Sequence, residues 1–398
     1  MTRRLDLILF VCAGSIVASG CAAIGSTEQE DLEEAEYGSC DSGSDCEVLE
    51  GGILFALETF GGNGRTCATC HPSIFGSGTL NPADVERRFR YAPTSALFRH
   101  DGADVMDGNT FNRIRTHATV LVDMPLPANV RIVGSTARNV ILARGIPTTM
   151  NTPALDPVLM YDGRAPNLAE QARGAIAGHA QSTDVVQSEL DAIAAFQQTL
   201  FNRSNLRNLV RSGTPLTMPQ GTTDSEKRGR RFFIADDQTD PDMVGENPAA
   251  KCGWCHSGDF LNGFSGFAVA NIVPFPAVEG GRFAPILVSE LNAMGNQRYD
   301  FEFTKPDGSV QVVNSPDPGL ALITGNPQQS GFFKIPTVWG AKDTAPYFHD
   351  NSAKTLEQLM EHYDKALFIL SSTNPRHPPV IDLTDQEKAD IIAYTKLL

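Results

Sequence analysis

Apolar positions along the chain follow helical spacing around two Cys-x-x-Cys-His motifs and form short extended runs elsewhere. The run from Leu7 to Gly20, behind Arg3 and Arg4, is too short for a comfortable membrane span and reads as an export signal. A helical pattern covers Leu49 to Phe60 and closes at Gly61-Gly62-Asn63-Gly64, just before the first motif. Residues 72–145 form a long irregular insertion in which Thr119–Val122 and Val130–Val133 read as short strands around a Pro-rich turn. Helices are expected at Asn167–Ala180 and Val185–Asn202. The Pro- and Gly-containing stretch Ser212–Gly221 is the expected domain boundary, and residues 224–235 read as a helix feeding the second motif. A loop-rich region with little periodicity follows. Two helices close the chain, one capped at Thr355 in Thr355-Leu356-Glu357-Gln358, the other running over Asp385–Leu397. The pattern predicts a mainly α protein with long loops and a small β insertion.

Charge changes the picture only at the N-terminus. The formal net charge is −15, and residues 22–50 hold ten acidic side chains and no Lys or Arg. Residues 22–48 therefore read as a solvated acidic tether, and the remainder is only mildly acidic. Nucleic acid is an unsuitable partner for such a surface. The end of the signal, Ile16-Val17-Ala18-Ser19-Gly20-Cys21, resembles a lipoprotein cleavage box with alanine where leucine is usual. Lipidation of Cys21, simple cleavage and an uncleaved anchor stay open. Each carries the rest of the chain out of the cytoplasm, into the periplasm as a free protein or as a lipid-anchored one at the outer membrane.

Eight cysteines sharpen the chemistry. Cys12 and Cys21 belong to the signal, and Cys40 and Cys46 form a close pair suited to a small-loop disulfide in an exported protein. The other four make Cys67-Ala68-Thr69-Cys70-His71 and Cys252-Gly253-Trp254-Cys255-His256. Cysteines three residues apart lie on one face of a helical turn, where they can form thioethers to the two vinyl groups of haem, and the next residue offers an imidazole to the iron. A zinc ribbon would need the two pairs close together, and about 180 residues separate them. A thioredoxin-like site would need a βαβ context, and neither alternative explains a histidine after both pairs. Two covalent haem c groups are expected, one in each cytochrome c-like domain, residues 49–211 and 222–398.

Further residues carry a resemblance. Gly145-Ile146-Pro147-Thr148, Tyr161-Asp162-Gly163-Arg164-Ala165 and Leu168-Ala169-Glu170-Gln171-Ala172 are similar to the inter-haem segment of the bacterial di-haem cytochrome c peroxidase/MauG family. So are Thr344-Ala345-Pro346-Tyr347-Phe348-His349-Asp350, the Thr355 cap and Leu383-Thr384-Asp385-Gln386-Glu387. The resemblance covers most of residues 49–398 apart from the insertion. It implies that the first haem reacts with hydrogen peroxide, while the second passes on electrons from a donor such as a small c-type cytochrome. It sets Tyr161 at an inter-haem aromatic position usually held by tryptophan, and Gln171 at a glutamine of the peroxide pocket. Tyr363 falls where peroxidases have a methionine ligand and MauG-type members a tyrosine, with Met360 and His362 as neighbouring alternatives or Tyr363 as plain core. The family's catalytic glutamate falls on Gln181, which cannot easily accept and return a proton; His179 could supply that function, or serve as a structural hydrogen-bonder. The displaceable distal histidine has no match at its usual spacing, and His100 is the nearest. Gly145 stands where the family has an asparagine at an interdomain calcium site, which argues against calcium. A MauG-like oxidase acting on a protein or organic substrate, and a non-catalytic electron-transfer cytochrome, remain as alternatives.

Overall fold

The computed structural model describes residues 44–72, 78–234, 252–265, 281–374 and 380–398. The signal, Cys12, Cys21, Cys40 and residues 22–43 of the tether lie outside them, and with Cys40 so does the Cys40–Cys46 pairing.

Helices dominate, and they begin where capping chemistry starts them. Thr384 accepts from the backbone of Glu387 while the Glu387 carboxylate accepts from the Thr384 amide, opening Asp385–Thr395. Thr355 caps Leu356–Thr373 through the Gln358 amide; the Gln358 side chain, however, takes the amide of Lys354 rather than that of Thr355. The first helix runs over Ser44–Leu57, so it starts inside the stretch read as tether and ends before Phe60. It lies against Gln187–Gln197, where a side chain at Gly51 would meet the Ala192 carbonyl at 1.8 Å. Leu54, Phe55, Ala172, Ile176, Leu190 and Ile193 fill that contact, with Cys67 and Ala68 packed on it. Each such apolar side chain contributes about 1.5–3 kcal/mol by leaving water.

The insertion is more ordered than its sequence suggests. It carries a helix at Pro82–Tyr91, and Leu80, Val85, Leu97, Phe98, Ile114 and Val120 make a core against which Cys70 packs. Its expected strands exist but do not pair around the Pro-rich turn. Strand β1 (Thr119–Pro125) pairs antiparallel with β3 (Asn139–Gly145), whereas β2 (Val130–Ile132) pairs with β5 (Tyr299–Thr304), which in turn pairs with β6 (Val310–Ser315). β4 (Phe283–Pro285) and β7 (Phe332–Lys334) make a third small sheet. The region after the second motif is therefore part β-sheet. Its short strands give too few alternations to register as a period of two.

Around the second motif a separate core gathers Leu155, Phe201, Phe232, Trp339, Met360 and Tyr394, with Cys252, Trp254 and Tyr363 against it. The Asp224–Arg230 helix meets Asp385–Thr395 at Gly229, and Arg228 holds Asp390 through two bonds of 2.7 and 2.9 Å. No helix among the described residues is long and apolar enough to cross a membrane.

Candidate functional site

Both Cys-x-x-Cys-His motifs form a tight helical turn. In the first, the His71 amide donates to the Cys67 carbonyl at 2.9 Å and the Thr66 amide to the Thr69 hydroxyl at 3.0 Å, winding Cys67–Cys70 into one turn. In the second, the His256 amide donates to the Cys252 carbonyl at 2.8 Å. None of the four cysteines is in a disulfide. Burial pushes the thiols of Cys67, Cys252 and Cys255 up to about 12.

The histidines decide what these turns are for. Nδ1 of His71 lies 3.0 Å from the Gly78 carbonyl, and Nδ1 of His256 lies 3.1 Å from the carbonyls of Leu261 and Pro336. A carbonyl only accepts, so each Nδ1 carries the proton and each Nε2 keeps its lone pair. That is the tautomer and orientation a metal-ligating histidine needs. Burial lowers the His71 imidazole to about 4 and lowers that of His256 too, keeping both neutral. Half-buried thiols paired with an oriented neutral imidazole fit a covalently held haem at each motif.

Cys67, Cys70 and His71 border a partly open, mostly apolar cavity that also takes in Phe55, Ile146 and Ile193. One face of it comes from the helix Leu168–Ala175 and its continuation Ile176–Ala180, a wide π-type turn. Leu168, Gln171, Ala172, Ala175, Ile176, His179 and Ala180 line the cavity, the three-and-four spacing of one helical face. Gln171 and His179 thus share the cavity with His71. Gln181 does not. It ends the turn in the left-handed conformation (φ 58°), is exposed, and accepts from the Asn63 amide at 3.0 Å. A spacing of ten from Gln171 matches the family's glutamate by count, but the wide turn and the left-handed residue carry the side chain off the lining face. His100 also lies outside the lining, with Nδ1 2.9 Å from Asp107.

Three lining or near-lining groups were not singled out from sequence. Arg65 is buried and borders the cavity, and Asp101, inside the insertion, is buried behind it. The Asp101 carboxylate takes Arg65 Nη1 on one oxygen and His179 Nδ1 on the other, each at 2.5 Å. Burial would raise that carboxyl, but the imidazole and guanidinium outweigh it and hold it below its ordinary value. Gln197, on the neighbouring helix, lines the same cavity, is buried, and makes no side-chain hydrogen bond among the described residues.

Tyr161 lies on the cavity wall, its ring centroid 6.4 Å from that of His349. Burial raises its phenol well above the ordinary value, so it is neutral. Behind it runs an ion network. Arg144 is buried and grips Asp317 through Nε at 2.8 Å and Nη2 at 3.0 Å, while its Nη1 donates to Asp162 at 2.5 Å. Arg164 donates to Asp162 as well, and Nε2 of His349, stacked on Phe333 at 3.7 Å, is 3.8 Å from Asp317. Asp162 and Arg164 belong to the Tyr-Asp-Gly-Arg signature, so that stretch is built around a buried charge network as well as an aromatic. At Gly145 a side chain would meet the Asn351 amide oxygen at 2.2 Å, and Asn351 donates to the carbonyls of His117 and Ala118. Among the described residues no group of three or more His, Cys, Asp or Glu is arranged to hold a metal ion.

On the side of the second motif, Tyr363 packs into the core that receives Cys252 and Trp254, and burial with the nearby thiols raises its phenol. His362 is turned away, its Nε2 2.7 Å from the Ile286 carbonyl. Met360 is buried in the same core as Tyr363.

Two such turns in a mainly helical fold, one opening on a cavity with polar side chains, are the arrangement a haem-binding redox protein would need. No family model matches the chain. It is 27% identical over 218 residues to the cytochrome c551 peroxidase of Nitrosomonas europaea, covering 54% of this chain and 56% of that one. It is 35% identical over 82 residues to the cytochrome-c peroxidase IdrP1 of a Pseudomonas species, covering 21% of each. A solved MauG-like protein associated with microbial copper homeostasis aligns over 88% of each chain, with a TM-score of 0.46 and 19% identity. The chain thus spans about half the length of one curated relative and about a fifth of the other. By these sequence matches it is similar, over part of its length, to bacterial cytochrome c peroxidases.

Proposed function

We propose that this is a periplasmic di-haem c oxidoreductase that reduces hydrogen peroxide with electrons from a small c-type cytochrome or similar donor protein. Residues 49–211 hold the peroxide-reacting haem through Cys67, Cys70 and His71. Residues 222–398 would hold the electron-transferring one through Cys252, Cys255 and His256, with Tyr363 as a further residue that could ligate it. The export signal supports the location.

The observation that carries this reading is that His179 and Gln171 share a cavity with His71. Bound haem supplies the redox chemistry on peroxide. His179, through Nε2, accepts the proton of one peroxide oxygen and returns it to the other, so that the O–O bond breaks with water as the leaving group. Gln171 would offer its side-chain amide to the peroxide. Two electrons from the donor protein and two protons complete the balance, one peroxide yielding two waters. Tyr161, neutral and half-buried on the cavity wall, is the aromatic stepping point for those electrons.

The test is a spectrum of the ferric protein before and after hydrogen peroxide. Expected is a peroxide-induced change assigned to one of two haems. Two low-spin irons that ignore peroxide would overturn the proposal in favour of a plain electron carrier. Tyrosine rather than methionine at 363 favours, as a second reading, a MauG-like oxidase of a protein or organic substrate, since an anionic oxygen ligand stabilises ferric iron. Tyr363→Phe is expected to abolish the low-spin signal of the second haem. An unchanged signal would transfer the ligand role to Met360 or His362.

A further inference from the structure

We propose that Asp101, clamped by Arg65, is the positioning residue that fixes the His179 imidazole with its Nδ1 proton turned inward and its Nε2 free toward the cavity. The inference rests on the reading above that His179 moves the peroxide proton.

The geometry is closed on every side but one. Asp101 divides its oxygens, Oδ1 to Arg65 and Oδ2 to His179 Nδ1. A carboxylate only accepts, so Nδ1 is the donor and Nε2 the acceptor. The guanidinium that holds Asp101 is itself saturated. Nε donates to the Ala96 carbonyl at 2.9 Å, and Nη2 to the carbonyls of Leu97 and Arg99 at 3.0 and 2.5 Å. Nη1 also reaches the His179 carbonyl at 3.2 Å, so one arginine fixes both the backbone of the histidine and the carboxylate that orients its ring. Gly102 makes room for this: a side chain there would meet the Leu97 carbonyl at 2.1 Å and Arg65 Nη2 at 3.1 Å. Arg113 Nη2 donates to the Asp101 carbonyl at 2.9 Å, tying down the turn from its other side. The charged groups closest to His179 are thus Asp101 and Arg65, from the insertion and the motif lead-in, with His71 across a cavity that Tyr161, Arg144, Arg164 and Lys334 also line. The insertion, which shows no function in sequence, supplies the carboxylate.

Asp101→Asn separates orientation from mere structure. Asparagine can still accept from Arg65, but its amide nitrogen then faces Nδ1, so the imidazole must turn its proton to Nε2 and lose its acceptor. Cyanide is the probe, because hydrogen cyanide must give up a proton to bind ferric iron, and binding is read optically on the intact di-haem protein without turnover. Asp101→Asn and His179→Ala are each expected to slow cyanide binding at neutral pH by about 10²-fold or more. The difference from wild type should close in alkali, where cyanide is already the anion. Wild-type rates in Asp101→Asn, or a deficit of the same size at every pH, would overturn the proposal. If Asp101→Asn does not fold, ¹⁵N-histidine spectra of the reduced, carbon monoxide-bound wild type decide. A protonated Nδ1 on His179 supports the clamp, and a protonated Nε2 overturns it. Should the wild type fail to reduce peroxide while the cyanide profile holds, the clamp stands and the peroxidase reading falls. Should peroxide turnover depend on His179 and not on Asp101, the clamp alone falls.

Discussion

Arg144→Leu is expected to destabilise the fold by about 3–5 kcal/mol, the cost of leaving buried charge without its partner. Arg144 sits fully enclosed between Asp162 and Asp317, and burial, which would disfavour its charge, is outweighed by those two carboxylates. Asp162 would keep Arg164, but Asp317 would keep only the Gly319 amide at 2.9 Å and His349 at 3.8 Å, with no guanidinium bonded to it. The pH dependence follows from the direction of each shift. In the wild type the Asp162 and Asp317 carboxyls are held below their ordinary values despite burial. Their contribution to stability is complete above the unfolded-chain value near 4 and is lost as pH falls through the lower folded value. In Arg144→Leu, burial without the arginine raises the Asp317 carboxyl, so protonation relieves the strain as pH falls. Urea unfolding at stepped pH should show the gap between wild type and variant at its widest near neutrality and narrowing toward pH 4. A gap that keeps its neutral value down to pH 4 would mean that lost packing, not unpaired charge, sets the cost.

His179→Ala is expected to slow the reaction with peroxide by about 10²–10⁴-fold, the usual range for a positioned acid–base group. Asp101 keeps Arg65 in that variant, so the pocket remains supported, and thermal unfolding should move far less than in Arg144→Leu. Gln181→Ala provides the contrast, since its side chain is exposed and bonded only to Asn63. Its peroxide rate should stay near wild type. The reverse order of effects, with Gln181 essential and His179 dispensable, would return the acid–base role to the position that matches the family glutamate by count.

How much of this was legible in the sequence depends on the range over which each feature is encoded. The two motifs are local: residues i, i+3 and i+4 of a single turn declare their own chemistry, and both turns form as their spacing implies. The capped C-terminal helices are equally local. Gln181 shows where counting fails, because a spacing of ten assumes a uniform helix and Ile176–Ala180 is wound wider than one. The seating of Asp101 is invisible for a different reason. It lies 78 residues from His179, in a loop whose helical and extended pieces are too short to show a period. Arg144 and Asp317 are 173 residues apart, and β2 finds its partner in β5 across a similar interval. Lone charged residues in loops read as solvated until the fold brings their partners to them. The Tyr-Asp-Gly-Arg signature held the one available hint, an acid and a base two residues apart in a segment otherwise tied to the haems.

Steady-state oxidation of a reduced c-type cytochrome by the purified di-haem protein, with and without hydrogen peroxide, tests the proposed reaction most directly. Expected is donor oxidation that requires peroxide, consumes two reduced cytochromes for each peroxide, and collapses in His179→Ala. Donor oxidation that is absent, or unaffected by peroxide, would contradict it.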